Sequence, residues 1–505
     1  IITRYVKNTN FGDDMNLYSE LYENKQKIKD VFTGADDIVM REFDNFGVKC
    51  LIVFADNVVS RTVIENPVLT NIMVLGEAQS DMEAVATKLV SVGETKLVKT
   101  FEEVFDAVLI GDTVIIMEGD KRALVISSKG WPSRGIPQAQ TEVVVQGPKD
   151  AFMEIGSFNT VLIRRRIRDT SLKVRRMKCG RRSKTDIAVM YLKDVAKDEL
   201  VEEVIRQIKS IDVDAILDSG YMEQFLEKKH NSPFPQLQMT ERPDKAASAI
   251  YEGRVAIVVD NSPFVILVPS TVNIFFQASE DYYDRWEIMS FLRLLRYFAV
   301  IAATCLPGIY IALTVYRPDL IPTALALKIA SSRAYVPFPT IAEVLIMETA
   351  FELLREAGVR LPSPASSALG IVGGIVIGSA AVDAGIVGPV VVIIAALSGI
   401  CSFAIPNPAF VSAIRLVKYF VIFMSAFLGL FGFYISVFLV LTHLASLESY
   451  GIPYLYPFCG GSINGYTDFK DSIIRVPLRF MTKRPIFARK CQKRRMSNNK
   501  GGGRK

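Results

Sequence analysis

Two apolar stretches without ionisable side chains constrain this sequence most strongly. No Asp, Glu, Lys or Arg occurs between Tyr297 and Tyr316, or from Tyr419 to Leu441. As a helix, the second stretch is about 34 Å long, which exceeds the roughly 30 Å hydrocarbon core of a bilayer. A surface helix of a soluble protein keeps a polar face, and these stretches lack a charged one. The sequence therefore predicts an integral membrane protein.

The residues before these stretches have the patterns of a soluble head. A buried strand is predicted at Val48–Phe54, a helix around Thr100–Ala107 and a further helix at Lys197–Ile211, where apolar residues recur on one face. Two hairpins are predicted, with turns at Glu118–Lys121 and Asp260–Pro263. We therefore expect an α/β soluble head made of two α/β subdomains, followed by an α-helical polytopic membrane domain. The expected segments are an arm or helix at 1–45, subdomains at 46–150 and 151–285, a transmembrane domain at 286–445 and a basic tail at 446–505.

Within the transmembrane domain we expect about four spans. The first is predicted at about 291–316 and the last at about 416–441, with two more inside the Gly- and Ala-rich segment 365–405. Residues 338–357 are interrupted by glutamates and are expected to form an amphipathic or re-entrant helix. Basic residues before the first span and in the tail predict that both ends face the cytoplasm.

The sequence lacks the residue patterns of common catalytic sites. No GxGxxG, Walker, GxSxG or HExxH motif occurs, the six cysteines are scattered, and only two histidines are present. We therefore predict that the protein is not an enzyme and that it needs no cofactor or metal ion.

A series of motifs runs in order through the head and the membrane region. These are Val161–Asp169, Tyr251–Asp260, Ser279–Tyr283, Phe351–Pro362 and Gly370–Pro389. Together they resemble the A subunit of GerA-type spore germinant receptors, over about residues 45–485. The resemblance implies a protein of the spore inner membrane whose head and tail face the spore core. It also implies a homo-oligomer, expected to be a pentamer, that acts as a nutrient-gated ion channel with a transporter-like B subunit and a lipoprotein C subunit.

Other functions stay open at this point. An auxiliary homologue that amplifies germination would share the same motifs. A transporter or a non-conducting signalling scaffold would also suit a membrane domain with Gly- and Pro-interrupted segments, although the sequence shows no internal repeat.

Acidic residues in the membrane region are the candidates for an ion path. Glu343, Glu348 and Glu352 lie on one predicted helix, and Asp383 is the one charged residue between Leu361 and Ile414. An acid within a membrane is costly to bury and is by default a functional candidate. A turn at the membrane surface is the alternative for Asp383, and an interfacial helix is the alternative for the glutamates.

Small and apolar residues beside these acids are candidates for a gate or for helix packing. The candidates are Val344, Met347, Phe351, Leu354, Gly370, Gly374 and Gly378. The glycines have GxxxG spacing, which permits close approach of membrane helices.

A dense group of basic residues follows the first half of the head. Arg164, Arg165, Arg166 and Arg168 are predicted to contact another subunit or anionic lipid. No aromatic residue lies between Arg164 and Lys184, so nucleic acid is not an expected partner. The basic residues from Arg489 to Arg495 are expected to hold the tail to membrane lipid.

Overall fold

The chain folds into an α/β head, a helical region and a tail. The structure, a computed structural model, describes residues 16–45, 47–56, 58–59, 82–84, 95–128, 137–359, 377–459 and 468–496. The predicted order of an α/β head followed by membrane-capable helices is confirmed.

The first half of the head is built around a five-stranded antiparallel sheet. Its strands are Ile38–Asn45 (β1), Val48–Ala55 (β2), Thr95–Val98 (β3), Thr113–Met117 (β4) and Ala123–Ile126 (β5). The spatial order of the strands is β1-β2-β4-β5-β3, and both strands of the hairpin predicted around residue 119 are present. Alternation along β2 sends Leu51 and Val53 to one face and Cys50 and Ile52 to the other.

Helices Leu21–Phe32 and Phe101–Ile110 pack on the face that contains Leu51. The second helix begins at a Thr100 cap, whose side chain accepts a hydrogen bond from the Glu103 amide. It extends to Ile110 rather than ending near Ala107 as predicted. Gly111, with φ of 97°, ends it because this left-handed conformation suits a residue without a Cβ.

The second half of the head contains another five-stranded antiparallel sheet. Its strands are Leu172–Cys179 (β6), Thr185–Leu192 (β7), Gln238–Thr240 (β8), Val255–Val259 (β9) and Val265–Val268 (β10). Their spatial order is β6-β7-β9-β10-β8, and the hairpin predicted at Asp260–Pro263 joins β9 to β10. Helices Gly156–Arg166 and Pro243–Tyr251 cover one face of the sheet, and helices Asp198–Ser210 and Ser219–Leu226 cover the other.

The helical region contains two helices that are long and apolar enough to cross a membrane, counted over the described residues. We call helix Trp286–Ile311, which is continued by a π-helical turn at Ala312–Tyr316, the first spanning helix, and we call helix Pro408–Ser446 the last spanning helix. Between them lie helices Thr323–Ser332, Thr340–Val359 and Pro389–Phe403, and a helical segment at 377–383. Helix Pro389–Phe403 has 15 residues and is about 22 Å long, which is shorter than the hydrocarbon core of a bilayer. The count of four spans stays a prediction, since part of 365–405 lies outside the described residues.

The last spanning helix is broken at Gly429. This residue has φ of 62° and ψ of −139°, and a Cβ there would lie 2.7 Å from the ring of Tyr316. The Tyr316 hydroxyl donates a hydrogen bond to the carbonyl of Ala426, one turn before the break. Glycine is therefore required both by the backbone conformation and by the close approach of the tyrosine.

The tail folds back onto the second half of the head. The Arg489 amide donates to the carbonyl of Val195 at 2.9 Å, and its guanidinium pairs with Asp198. Five residues earlier, the Arg484 guanidinium donates to the carbonyl of Tyr251 at 2.8 Å. The tail therefore contacts the second half of the head at several points.

A buried ion pair joins the two halves of the head. Nε of Arg164 lies 2.5 Å from a carboxylate oxygen of Asp37, and both side chains are almost fully buried. Beside it, the Lys173 ammonium donates to the carbonyl of Val31 at 2.8 Å. Burial, with a contribution from nearby cations, lowers the pKa of Lys173 to about 8. The position of the first half of the head therefore depends on charged side chains of the second half.

Replacing Asp37 with Asn should destabilise the head, because a buried guanidinium would lose its counter-charge. We expect a loss of about 3 kcal/mol, typical of removing one partner from a buried pair. The measurement is thermal unfolding of the detergent-purified full chain. Unfolding is monitored by the rate at which the buried cysteines Cys50 and Cys179 become labelled. Asp186→Asn is the matched control, because Asp186 faces solvent 3.8 Å from Lys178 and should cost less than about 1 kcal/mol. Equal shifts in the two variants would contradict the role given to Asp37.

Candidate functional site

The acidic helix Thr340–Val359 is the centre of the candidate site. Val344 and Met347 are buried on the face that packs against the first spanning helix, helix Pro389–Phe403 and the last spanning helix. Phe351 packs at the edge of the same cluster, whereas Leu354 is half-buried. Within this chain, the candidate gate residues Val344 and Met347 therefore have a packing role.

Glu343 ties the beginning of the acidic helix to two other segments. The carboxylate is fully buried, and one oxygen lies 2.8 Å from the Arg333 guanidinium. Its other oxygen accepts a hydrogen bond of 2.7 Å from the amide of Gly388, just before helix Pro389–Phe403. Both oxygens are therefore compensated, which a buried carboxylate requires.

Glu348 forms an ion pair with the last spanning helix. The Lys418 ammonium lies 2.5 Å from the carboxylate, and both side chains are buried. One turn later, Glu352 pairs with Arg415 of the same helix and lies 4.0 Å from Arg355. The acidic helix and the last spanning helix are thus joined by opposite charges at two successive turns.

Arg355 extends this charged network toward helix Pro389–Phe403. Its guanidinium donates to the Ser402 hydroxyl at 2.6 Å and lies 4.7 Å from the ring centre of Phe403. The sequence predicted the carboxylates as candidates but not their pairing with the cations Arg333, Arg415 and Lys418. Opposite charges in neighbouring apolar segments are the signal that could have predicted the pairing, because an unpaired charge is costly within a membrane.

The structure describes two of the remaining membrane candidates, Asp383 and Gly378. Asp383 is exposed at the end of helical segment 377–383, and a turn containing Gly385 at φ of 67° follows it. Gly378 is buried, and a Cβ there would lie 3.0 Å from Val392, so this glycine permits close packing. Gly370 and Gly374 lie outside the described residues.

The basic candidates of the head have different environments. Arg164 is buried in its pair with Asp37, and Arg166 pairs with Asp150 at 2.6 Å. Arg165, in the last turn of the helix, and Arg168, two residues beyond its end, are exposed. The surface available to another subunit or to lipid is therefore narrower than the four basic positions suggested.

A second charged cluster joins the head, the first spanning helix and the tail. Arg293 is fully buried and lies 3.1 Å from Asp281 of the head and 2.8 Å from Asp471 of the tail. Arg296 also pairs with Asp281, at 2.8 Å. The Tyr282 hydroxyl donates to Asp471 at 2.7 Å, and burial together with this carboxylate raises the pKa of Tyr282 well above its ordinary value. The tyrosine therefore stays a neutral donor.

Comparison with known proteins identifies the family. Residues 26–487 match the family described as Bacillus/Clostridium GerA spore germination protein. The chain belongs to the GerA family. Spore germination protein KA of Bacillus subtilis is 37% identical over 95% of this chain and 88% of its own length. Spore germination protein GerLA of Bacillus cereus is 36% identical over 94% of this chain and 97% of its own.

Two further relatives complete the comparison. The uncharacterized membrane protein YfkQ of Bacillus subtilis is 38% identical over 95% of this chain and 93% of its own. A crystal structure is known for the N-terminal domain of the A subunit of the Bacillus megaterium spore germinant receptor GerK3, whose sequence is 32% identical to this chain over the matched region. The match covers 50% of this chain and 95% of the GerK3 chain, with a TM-score of 0.40. The predicted GerA resemblance is confirmed, and this GerA-family chain is a membrane protein.

Removing either partner of the Lys418–Glu348 pair should destabilise the membrane region of this GerA-family protein. Lys418→Met leaves a buried carboxylate without its cation, at an expected cost of about 3 to 5 kcal/mol. The double variant Lys418→Met with Glu348→Met replaces both charges by apolar groups and should be less destabilised than either single variant. Resistance of the purified chain to thermal aggregation in detergent provides the measurement. Additive effects of the two substitutions would show that the pair is not coupled.

Proposed function

We propose that this chain is the A-type subunit of a spore germinant receptor and that several copies form an ion-conducting ring. The observation that supports this most strongly is the acidic helix. It carries four carboxylates, and three of them, Glu343, Glu348 and Glu352, each pair with a cation within the membrane region. Such charges are costly in a membrane and are kept where an ion path or a switch needs them.

The glutamates would act as the ion-selecting groups. A single buried carboxylate is balanced by its cation, as Glu348 is by Lys418 in this conformation. Copies of the acidic helix around a water-filled axis would instead form a ring of negative charge that attracts cations. Glu352 is the more accessible of the two acids, with 28% of its side chain exposed. Separation of Glu352 from Arg415 would increase the charge available to the path.

The proposed location is the spore inner membrane, with head and tail facing the spore core. The contact between head and tail supports a common side for both, and basic residues before the first spanning helix support the cytoplasmic side. A transporter-like B subunit and a lipoprotein C subunit are the proposed partners, and the nutrient signal would arrive through them.

An auxiliary germination protein is the second candidate. Stage V sporulation protein AF of Bacillus subtilis is 35% identical over 72% of this chain and 73% of its own length. The two roles predict different partners for the same kind of ring. Co-purification from spores would separate them, because only the receptor role requires both a B and a C subunit.

Neutralising Glu348 and Glu352 together should lower cation over anion permeability. The double variant Glu348→Gln with Glu352→Gln removes negative charge from the proposed path while keeping the size of both side chains. Reversal potentials of the full chain in planar bilayers under a salt gradient would measure the change. Asp319→Asn is the control, because this exposed acid pairs with Arg317 outside the acidic helix.

If the reversal potentials of the double variant are unchanged, Glu348 and Glu352 do not line the conducting path. A protein of monomeric mass that passes no current would instead favour a transporter or a scaffold. A ring-shaped oligomer with cation-selective current supports the proposal.

A further inference from the structure

A segment of the tail lies beside the first spanning helix where that helix leaves the head. We call residues 471–483 the strap. The Ser290 hydroxyl donates to the carbonyl of Arg475 at 3.1 Å, and the Arg293 guanidinium donates to the carbonyl of Ser472 at 3.3 Å. These contacts lie one to two turns before the charge-free stretch that begins at Tyr297. The strap is therefore at the level where the membrane surface must meet the protein.

The backbone of the strap is fixed by buried polar groups. Asp471 is paired with Arg293, and Ser472 is fully buried. The Arg475 side chain is also buried, and its guanidinium donates to the carbonyl of Asp284 at 3.1 Å. The outward side chains of the strap therefore cannot turn inward without breaking these contacts.

The outer face of the strap is apolar and cationic. Ile474 is 56% exposed and Phe480 is 64% exposed, and Leu478 is exposed between them. Arg479 and Lys483 are exposed beside these residues. The one acid of the strap, Asp471, is already engaged by Arg293 and Tyr282. This combination of apolar and basic side chains is typical of segments that lie in the headgroup region of a bilayer.

The first spanning helix exposes a matching apolar surface at the same level. Ile288, Phe291 and Leu294 are exposed around Ser290, the residue that contacts the strap. In a membrane protein, such a surface at the base of a spanning helix faces lipid. The contact of Ser290 with the strap places the exposed apolar residues of both segments close to the same level.

We propose that the strap is an interfacial anchor for an anionic lipid surface. Ile474, Leu478 and Phe480 insert at the boundary of headgroups and acyl chains, while Arg479 and Lys483 contact lipid phosphate. Among the more distal basic residues, Arg489 is engaged by Asp198 of the head and Arg495 lies 3.8 Å from Glu252, so these two are less available to lipid than Arg479 and Lys483. The expectation that the basic residues from Arg489 to Arg495 hold the tail to lipid stays a prediction. The inference does not depend on ion conduction.

The test measures the depth of single fluorophores in nanodiscs that contain the full chain and phosphatidylglycerol. An environment-sensitive label is placed at Ile474→Cys or Leu478→Cys, with the exposed Cys459 and Cys491 replaced by Ser. Native Cys491 labelled in a Cys459→Ser background is the matched control, since it lies on the part of the tail that docks on the head. Lipids with a spin label near the headgroup should quench the labels at 474 and 478 but not the label at 491.

A second arm tests the charge. Arg479→Gln with Lys483→Gln removes two cations that each contribute on the order of 1 kcal/mol at an anionic surface. Because about 2 kcal/mol is then lost, the ratio of lipid-inserted to water-exposed label at 474 should fall roughly 30-fold. The proposal is overturned if the labels at 474 and 478 are as water-exposed as the one at 491. It is also overturned if they are shielded from water but not quenched by lipid, which would indicate a protein partner, or if charge removal changes nothing.

Discussion

The position of the membrane region relative to the head depends on one buried guanidinium. Arg293, at the beginning of the first spanning helix, lies between Asp281 of the head and Asp471 of the tail, and no part of its side chain is exposed. Desolvating these charges is expensive, so the arrangement persists only while all partners are in place. Segments far apart in sequence thereby meet at one point. The orientation of the first spanning helix, the position of the strap and the docking of the tail all follow from it.

Buried pairs of opposite charge also fix the arrangement of helices within the membrane region. The acidic helix is held to its neighbours by charge pairs as well as by apolar packing around Val344 and Met347. Apolar packing alone has little preference for one rotation of a helix, whereas paired charges at successive turns fix both rotation and register. Separating a pair such as Glu352 and Arg415 would change both the packing and the exposed charge of the acidic helix, which is the change that the proposed channel requires.

The sequence predicted the elements better than their contacts. Patterns with a period of two or 3.6 identified β2, the two hairpins and helix Asp198–Ser210, because burial dictates them locally. The glutamates of the acidic helix were also found, since charge is conspicuous in an apolar segment. Their pairing with Arg333, Arg415 and Lys418 depends on tertiary contacts across as many as 70 residues. The burial of Arg164 against Asp37, across 127 residues, was equally beyond a reading of local pattern.

Hydrogen–deuterium exchange of Asp281→Asn against the wild-type full chain tests the central claim most directly. Asp281 belongs to the head, yet its loss would leave Arg293 and Arg296 short of negative charge. The account predicts that exchange rises together in residues 286–296 of the first spanning helix and in 471–475 of the tail, because both depend on Arg293. Faster exchange confined to 279–284, with the helix start and the strap still protected, would contradict it.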